Sequence, residues 1–320
     1  MGLFGVYDGH GGDSVSTYVK ENLHVNFLNQ KKLISSGNIQ EALKKGFVET
    51  DKQLYELCKE HNDRSGSTAV FAVLESNKIW VAWTGDTRAV LCSGYKAVEL
   101  TNDHTPHNFN EKGRVIQAGG WISNNGCSRV NGLLAVTRAL GDFYLKEPVE
   151  YVTAVPEITE REISPFDQFI IIASDGFWDV FGSQEAVDKI VTCKNPYTIA
   201  EEVVLNAIDR GSRDNITVLL IWFDWKMDLA PLVSQFEATS KKKDKGSSED
   251  TEERGRVVMS DRSERNSRSA SPPTVGIFQR ERTEKGTSSK KKKTLAKSTL
   301  MEKRKLSNSN LGSVKKSEEK

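Results

Sequence analysis

Residues 67–93 read STAVFAVLESNKIWVAWTGDTRAVLCS. Three runs of β-branched, aromatic and other apolar residues, Ser67–Glu75, Lys78–Thr84 and Arg88–Ser93, are separated by Ser76-Asn77 and Gly85-Asp86. Apolar runs of this length broken by turn dipeptides predict strands, and their close succession predicts an antiparallel meander. Working outward, Leu3–Tyr7, Ile158–Ile163, Gln168–Ser174 (QFIIIAS) and Asn215–Phe223 (NITVLLIWF) read as further strands. The last two barely alternate between apolar and polar, so both of their faces are expected to be covered.

Helical spacing occupies the intervals. Val15, Tyr18, Val19, Leu23 and Phe27 mark a helix over 12–29, and Leu43, Phe47, Leu54 and Leu57 mark another over 39–60 with Asn38 as its N-cap. Shorter helices are predicted over 108–118, 184–191 and 198–210. Strands in consecutive runs with helices grouped between them indicate an α+β fold with antiparallel sheets rather than a βαβ alternation. Sheets packed on each other with helices outside satisfy the pattern, in one domain over 1–228.

The formal net charge of the 320 residues is only +1, but the charge is split. Residues 240–320 carry 23 Lys and Arg against 12 Asp and Glu, which leaves 22 basic and 32 acidic residues in 1–239. An acidic body repels phosphate backbones, so any nucleic-acid binding is expected to be weak and confined to the basic tail. The tail has one aromatic residue, Phe278, and is rich in Ser, Lys and Arg. Such a composition is expected to leave 240–320 disordered. Its KKKK at 290–293 and KRK at 303–305 fit either a nuclear-import signal or a solvated charge run, and Ser267, Ser269, Ser271 and Ser307 lie in kinase-accessible contexts. Cys58, Cys92, Cys127 and Cys193 show no metal or redox spacing, which points to reduced thiols. No apolar run reaches membrane-spanning length, the first residues show no basic segment followed by an apolar stretch, so a secretory leader is not expected, and Val6 stands where a myristoylation signal requires Ser or Thr. The expectation is a soluble monomer, cytoplasmic, nuclear or both, without a membrane partner.

The chemistry gathers at strand ends. LFGVYD closes on Asp8, WVAWTGD on Asp86 and FIIIASD on Asp175, while Asp214 opens the ITVLLIWF strand. Carboxylates fixed at the ends of rigid strands can converge, and without matching basic residues they call for a cation. Oxygen donors alone select hard ions such as Mg²⁺ or Mn²⁺. A lone Asp-Gly after a strand is ordinarily a turn, so the weight rests on the whole series: Asp8-Gly9-His10-Gly11-Gly12, Gly66-Ser67-Thr68-Ala69, Gly85-Asp86-Thr87-Arg88, Arg138-Ala139-Leu140-Gly141-Asp142, Ser174-Asp175-Gly176-Phe177-Trp178-Asp179 and Arg213-Asp214-Asn215.

This series, in this order from Leu3 to about Phe223, resembles the metal-dependent PPM-type (type 2C) Ser/Thr protein phosphatases. The resemblance implies a β-sandwich of two antiparallel sheets flanked by helix pairs. It implies hydrolysis of phosphoserine and phosphothreonine in phosphoproteins by a hydroxide held between two Mg²⁺ or Mn²⁺ ions, with a third, weaker ion beside them. By the same resemblance Asp8 bridges the two metals, the Gly9 carbonyl binds the second, Asp175 and Asp214 bind the first, and Asp86 and Asp179 serve the third. His10 matches the general acid for the leaving alkoxide, and 143–155 with its surroundings matches a variable flap.

Family members also carry an upstream segment with an Arg for the substrate phosphate and a Glu for the second metal, and neither has a counterpart ahead of Tyr7. The expectation is a phosphatase fold lacking its first strands, whether as a fragment, a short isoform or a misplaced start. The alternative function is a phosphatase-like metal-binding module of little activity, with a regulatory or docking role. An aspartate-nucleophile phosphotransferase is disfavoured, because that chemistry places a second Asp two residues after the first, where this sequence has His10 and Phe177. His104 and His107 form an H-x-x-H without a third ligand and read as turn residues.

Overall fold

The computed structural model describes residues 1–223, apart from Asn125, Lys194, Pro196 and Tyr197, and the backbone strand 274–280. These residues belong to one unit, Met1–Thr283; Glu284–Lys320 lies outside the described residues. Strand β1 (Gly2–Val6) and the two-residue β2 (Gly9–His10) lead into α1 (Ser14–Leu28), α2 (Lys31–Ser35) and α3 (Ile39–His61). Val15, Val19, Leu23 and Phe27 of α1 face Leu43, Phe47 and Leu54 of α3 in one buried layer. That is the helical spacing that predicted them. A Cβ at Gly46 would press on the Phe27 backbone at 3.1 Å, so this glycine lets the two helices close. Asn38 caps α3 as expected, its side chain accepting from the Glu41 amide at 3.2 Å.

Next come β3 (Gly66–Ser67), β4 (Ala69–Glu75), β5 (Lys78–Thr84), β6 (Arg88–Ser93) and β7 (Lys96–Glu99), then α4 (Phe109–Gln117), β8 (Ile122–Ser123), β9 (Arg129–Val130) and β10 (Leu140–Gly141). Strands β11 (Glu157–Glu162) and β12 (Asp167–Ala173) follow, with α5 (Asp175–Trp178), α6 (Ser183–Val191), α7 (Ile199–Asp209), β13 (Ile216–Trp222) and β14 (Thr274–Arg280). Two antiparallel sheets, ordered β1-β4-β5-β11 and β14-β13-β12-β6-β7, form the sandwich. Val6, Val70, Ala72, Val81 and Trp83 of the first meet Ala89, Leu91, Ile170, Ile172, Leu219 and Ile221 of the second in the buried layer between them. The alternate residues turn outward and are also buried: Phe71 and Val73 under α1 and α3, Phe169 and Ile171 under α6 and α7. Helices on both outer faces explain why these strands read as continuous apolar runs.

One expectation is corrected. The meander over 67–93 is a β4–β5 hairpin followed by a crossing, because β6 pairs with β12 and β7 in the opposite sheet. The break falls at Gly85, whose φ of +94° turns the chain away from β4. A hydrogen bond of 2.6 Å between the Thr68 and Thr87 hydroxyls ties the two sides of the crossing. Adjacent apolar strands in sequence do not specify whether they share a sheet. Of 240–320, expected to be disordered, the structure describes only the backbone strand 274–280. Thr274–Arg280 pairs with the whole of β13, from Thr274 opposite Trp222 to Arg280 opposite Ile216. Its TVGIFQR sequence is a β-prone island in a Lys/Ser/Arg background. The basic runs and the serines singled out as kinase sites lie outside the described residues.

A smaller core of Val115, Val130, Leu134, Val136, Ala139, Leu145 and Val152 holds α4, the β8–β9 hairpin and the loop after β10 beside the sandwich. The expected flap, 143–155, belongs to this layer. No described helix is long and apolar enough to cross a membrane.

Candidate metal centre and active site

The loop after β1, the turn between β5 and β6, the start of α5 and the loop before β13 meet at one end of the sandwich. Asp8 is fixed through its backbone, its carbonyl accepting from the Thr68 amide at 2.9 Å. Its carboxyl lies beside that of Asp175, close enough to share a proton in a hydrogen bond. Burial, the charge and hydrogen bond of Asp175, and the charges of Asp86 and Asp214 together push Asp8 up to about 8. Burial and the charge of Asp175 push Asp86 up to about 7. Asp175 and Asp179 are also raised, first by burial and then by neighbouring carboxylates, Asp214 among them. Like charges in a poorly solvated pocket disfavour one another's ionised forms, and a cation is what reverses this.

Glycines make the convergence possible. A Cβ at Gly9 would meet the Ser16 hydroxyl at 2.5 Å, so only glycine lets this strand lie on the start of α1. A Cβ at Gly176 would run into the Asn215 carbonyl and lie 3.1 Å from the Asp214 Cβ. The Ser212 hydroxyl donates to the Gly176 carbonyl at 2.6 Å, which holds that loop against α5. Glycine after Asp175 thus serves close approach rather than a turn, and brings Asp214 to the other carboxylates. Trp178 lies beneath, its indole N–H donating to the Ala173 carbonyl at 2.9 Å.

Arg88 is a cation in electrostatic reach of this acidic group, its charge lowering Asp179. It is engaged by Asp103 through two bonds of 3.0 and 2.6 Å and rests over the Trp178 ring at 5.4 Å. Already paired, it leaves the charge of Asp8, Asp86 and Asp175 uncompensated. Asp142 closes the Arg138-Ala139-Leu140-Gly141-Asp142 motif. It is fully buried and accepts from His10 Nε2 at 2.7 Å. The signal for both was their place inside the recurring motifs, next to the residues that were singled out.

The donor set fits hard divalent cations. It consists of carboxylates and a carbonyl, and Asp175 Oδ1 is buried without a hydrogen-bond partner. Among the described residues no group of three or more His, Cys, Asp or Glu side chains is placed as it stands to hold a metal ion. What the structure assembles is a pair of carboxylates, Asp8 and Asp175, with further carboxylates in electrostatic reach. Asp8 and Asp175 are brought into contact, with Asp86 and Asp214 in electrostatic reach of Asp8 and Asp179 beside Asp175. His104 is not a ligand: it is fully buried, stacked on Trp83 at 5.6 Å, and pushed down to about 3 by burial and the charge of Arg138.

Comparison with known proteins agrees with this geometry. The family profile described as Protein phosphatase 2C matches residues 1–216. Probable protein phosphatase 2C 71 of Arabidopsis thaliana is 42% identical over 223 residues, 70% of this chain and 49% of that protein. Probable protein phosphatase 2C 59 of the same plant is 41% identical over 223 residues, 70% of each chain. The chain therefore spans about half the length of the first relative and more of the second. Among solved structures, a sex-determining protein of C. elegans superposes with a TM-score of 0.64 at 28% identity, over 68% of this chain and 55% of that one. With the sandwich, the carboxylates at its strand ends and these matches taken together, the chain belongs to the protein phosphatase 2C family.

Proposed function

We propose that the protein hydrolyses phosphoserine and phosphothreonine in phosphoproteins with the help of bound Mg²⁺ or Mn²⁺. The observation that carries this reading is the meeting of Asp8 and Asp175, from two different sheets, in a pocket where Asp86 and Asp214 add charge and Arg88 is engaged by Asp103. Asp8, Asp175, Asp214 and the Gly9 carbonyl are the groups to hold two cations, with Asp86 and Asp179 for a third. When bound, such ions lower the pKa of a coordinated water and offset charge on the phosphoryl group.

The chain's own residues do the rest. Strand ends fix the carboxylates before substrate arrives, so little reorganisation opposes the reaction. His10, whose side chain is 29% exposed, reaches the surface beside Asp8 with one ring nitrogen tied to Asp142. Its other nitrogen, Nδ1, is free to hold a proton for the departing seryl or threonyl oxygen. No protein nucleophile takes part, and Cys58 and Cys92, buried and raised to about 11 and 12 by that burial, are unsuited to one. The reading takes the chain as a monomer working in the cytoplasm, the nucleus or both.

A second reading, a metal-binding module with little turnover, rests on the same meeting of Asp8 and Asp175, which accounts for cation binding without requiring turnover. Turnover of a phosphothreonine peptide with Mn²⁺, beside calorimetric titration of the same ion, separates the two. Cation binding with turnover supports the enzyme; cation binding with none, including on p-nitrophenyl phosphate, supports the module.

A further inference from the structure

We infer that Asp142 is a positioning residue that orients the His10 imidazole for proton donation; the inference rests on the phosphoester-hydrolase reading of this site. Asp142 follows β10 and precedes a single 3-10 turn over Phe143–Leu145. Its side chain is fully buried, with Oδ2 2.7 Å from His10 Nε2 and Oδ1 without a hydrogen-bond partner. A buried carboxylate without a full set of partners is costly to the fold. Besides His10, the Tyr144 phenol lies beside this carboxylate and is raised to about 12, first by burial and then by the charge and hydrogen bond of Asp142. Asp142 makes no side-chain cap on the turn it begins, and among the described residues no Lys or Arg pairs with it.

The backbone is shaped around this contact. Asp142 has φ of +52°, in the left-handed region that a non-glycine residue seldom occupies. Its amide donates to the Ser65 carbonyl at 3.1 Å, which sets the carboxylate beside β2. Gly141, at φ +79°, leaves no room for a side chain, since a Cβ would lie 2.6 Å from the same Ser65 carbonyl. A Cβ at Gly66 would collide with both Asp142 Oδ2 and His10 Nε2. The His–Asp pair therefore passes across the face of a glycine directly opposite His10 in the β2–β3 pairing. Glycine at 66, glycine at 141 and a strained Asp142 have one contact in common.

With Oδ2 accepting from Nε2, the ring is held in one orientation and Nδ1 is left to face outward. Asp142 touches neither the cations nor the substrate in this account; it acts through His10. A positioned acid matters most when the leaving oxygen is a poor leaving group, as in phosphothreonine, and least for p-nitrophenolate.

The test uses the full chain with Mn²⁺ and three variants, D142N, H10Q and the double substitution. The isosteric D142N keeps the volume of the buried site. For the phosphothreonine peptide D142N is expected to lower kcat about 10–100-fold with KM little changed, and p-nitrophenyl phosphate turnover less than about threefold. The double variant is expected to be no slower than H10Q alone. Equal loss on both substrates, or multiplicative losses in the double variant, would overturn the inference. If H10Q itself shows no preference for the poor leaving group, the general-acid reading of His10 fails instead. A second readout needs no turnover: in the metal-free chain, at a pH where the ring has given up its Nδ1 proton, imidazole ¹⁵N spectra should show the remaining proton on Nε2 alone in the wild type and a tautomer mixture in D142N. Identical spectra would overturn the positioning role whatever the kinetics show.

Discussion

The carboxyl groups of Asp8 and Asp175 stand side by side at the end of the sandwich, one beyond β1 of the first sheet and the other beyond β12 of the second. Each is held by its own strand, so neither can swing away to relieve the repulsion. The packing between the two sheets, Val6 and Val70 against Ile170 and Ile172, is what forces them together.

Removing one of these charges should therefore stabilise the metal-free protein while abolishing its response to cations. Asp8→Asn is expected to raise the melting temperature in EDTA by a few degrees, equivalent to about 1 kcal/mol, and to lose the further rise that Mn²⁺ gives the wild type. Thermal melts of both proteins with and without Mn²⁺ check this. An Asp8→Asn protein that still gains stability from Mn²⁺ would place the cation elsewhere.

The pH dependence follows from the same repulsion. Asp8 and Asp86 carry folded-state pKa values of about 8 and about 7, against an ordinary value of 3.8. Between those limits the folded metal-free chain binds more protons than the unfolded one, so its stability falls as pH rises from about 4 to about 8. Cation binding should expel protons near pH 7 and remove most of this slope. Melts in EDTA across that window, repeated with Mn²⁺, should diverge with rising pH; parallel curves would contradict the shifted carboxyls.

Much of this was legible in the sequence. The buried faces of α1 and α3, the cap at Asn38 and the doubly covered runs of β12 and β13 follow from periodicity, because each depends on residues close together in the chain. The sheet to which β6 belongs did not, because it is decided by the turn at Gly85 and by contacts with β12 far along the sequence. Strand-end aspartates were visible as a repeated local design, yet their convergence came only from the family resemblance. Asp142 and Arg88 were hidden because their roles lie in tertiary partners, His10 and Asp103, that no spacing announces.

Gly176 offers a test of how Asp214 reaches the site. In Gly176→Ala the new methyl would collide with the Asn215 carbonyl and push the loop that carries Asp214 outward. A displacement of about 1 Å at a catalytic constellation can cost on the order of 100-fold in rate. The variant is expected to remain folded, to bind Mn²⁺ more weakly by calorimetry and to lose at least tenfold in kcat/KM. Unchanged affinity and rate would mean that Asp214 is not held by this contact.

The edge strand β14 gives a separate expectation. Shortening the chain to end before Thr274 removes the β14 partner of every residue of β13 and leaves its pairing with β12. Amides of β13 that point toward β14 should then exchange hydrogen faster, while those pointing toward β12 stay protected. Hydrogen exchange on chains ending at 240 and at 283 compares the two states. Equal protection in both would show that β14 does not seal this edge in solution.

The central claim is tested most directly by kcat/KM on a phosphothreonine peptide, measured with saturating Mn²⁺ and again in EDTA, for the wild-type chain beside Asp8→Asn and Asp175→Asn. The account predicts turnover that requires the cation and falls by about two to three orders of magnitude or more in either variant, the scale of losing a main source of transition-state charge stabilisation. Turnover that persists in EDTA, or that survives both substitutions, would contradict it.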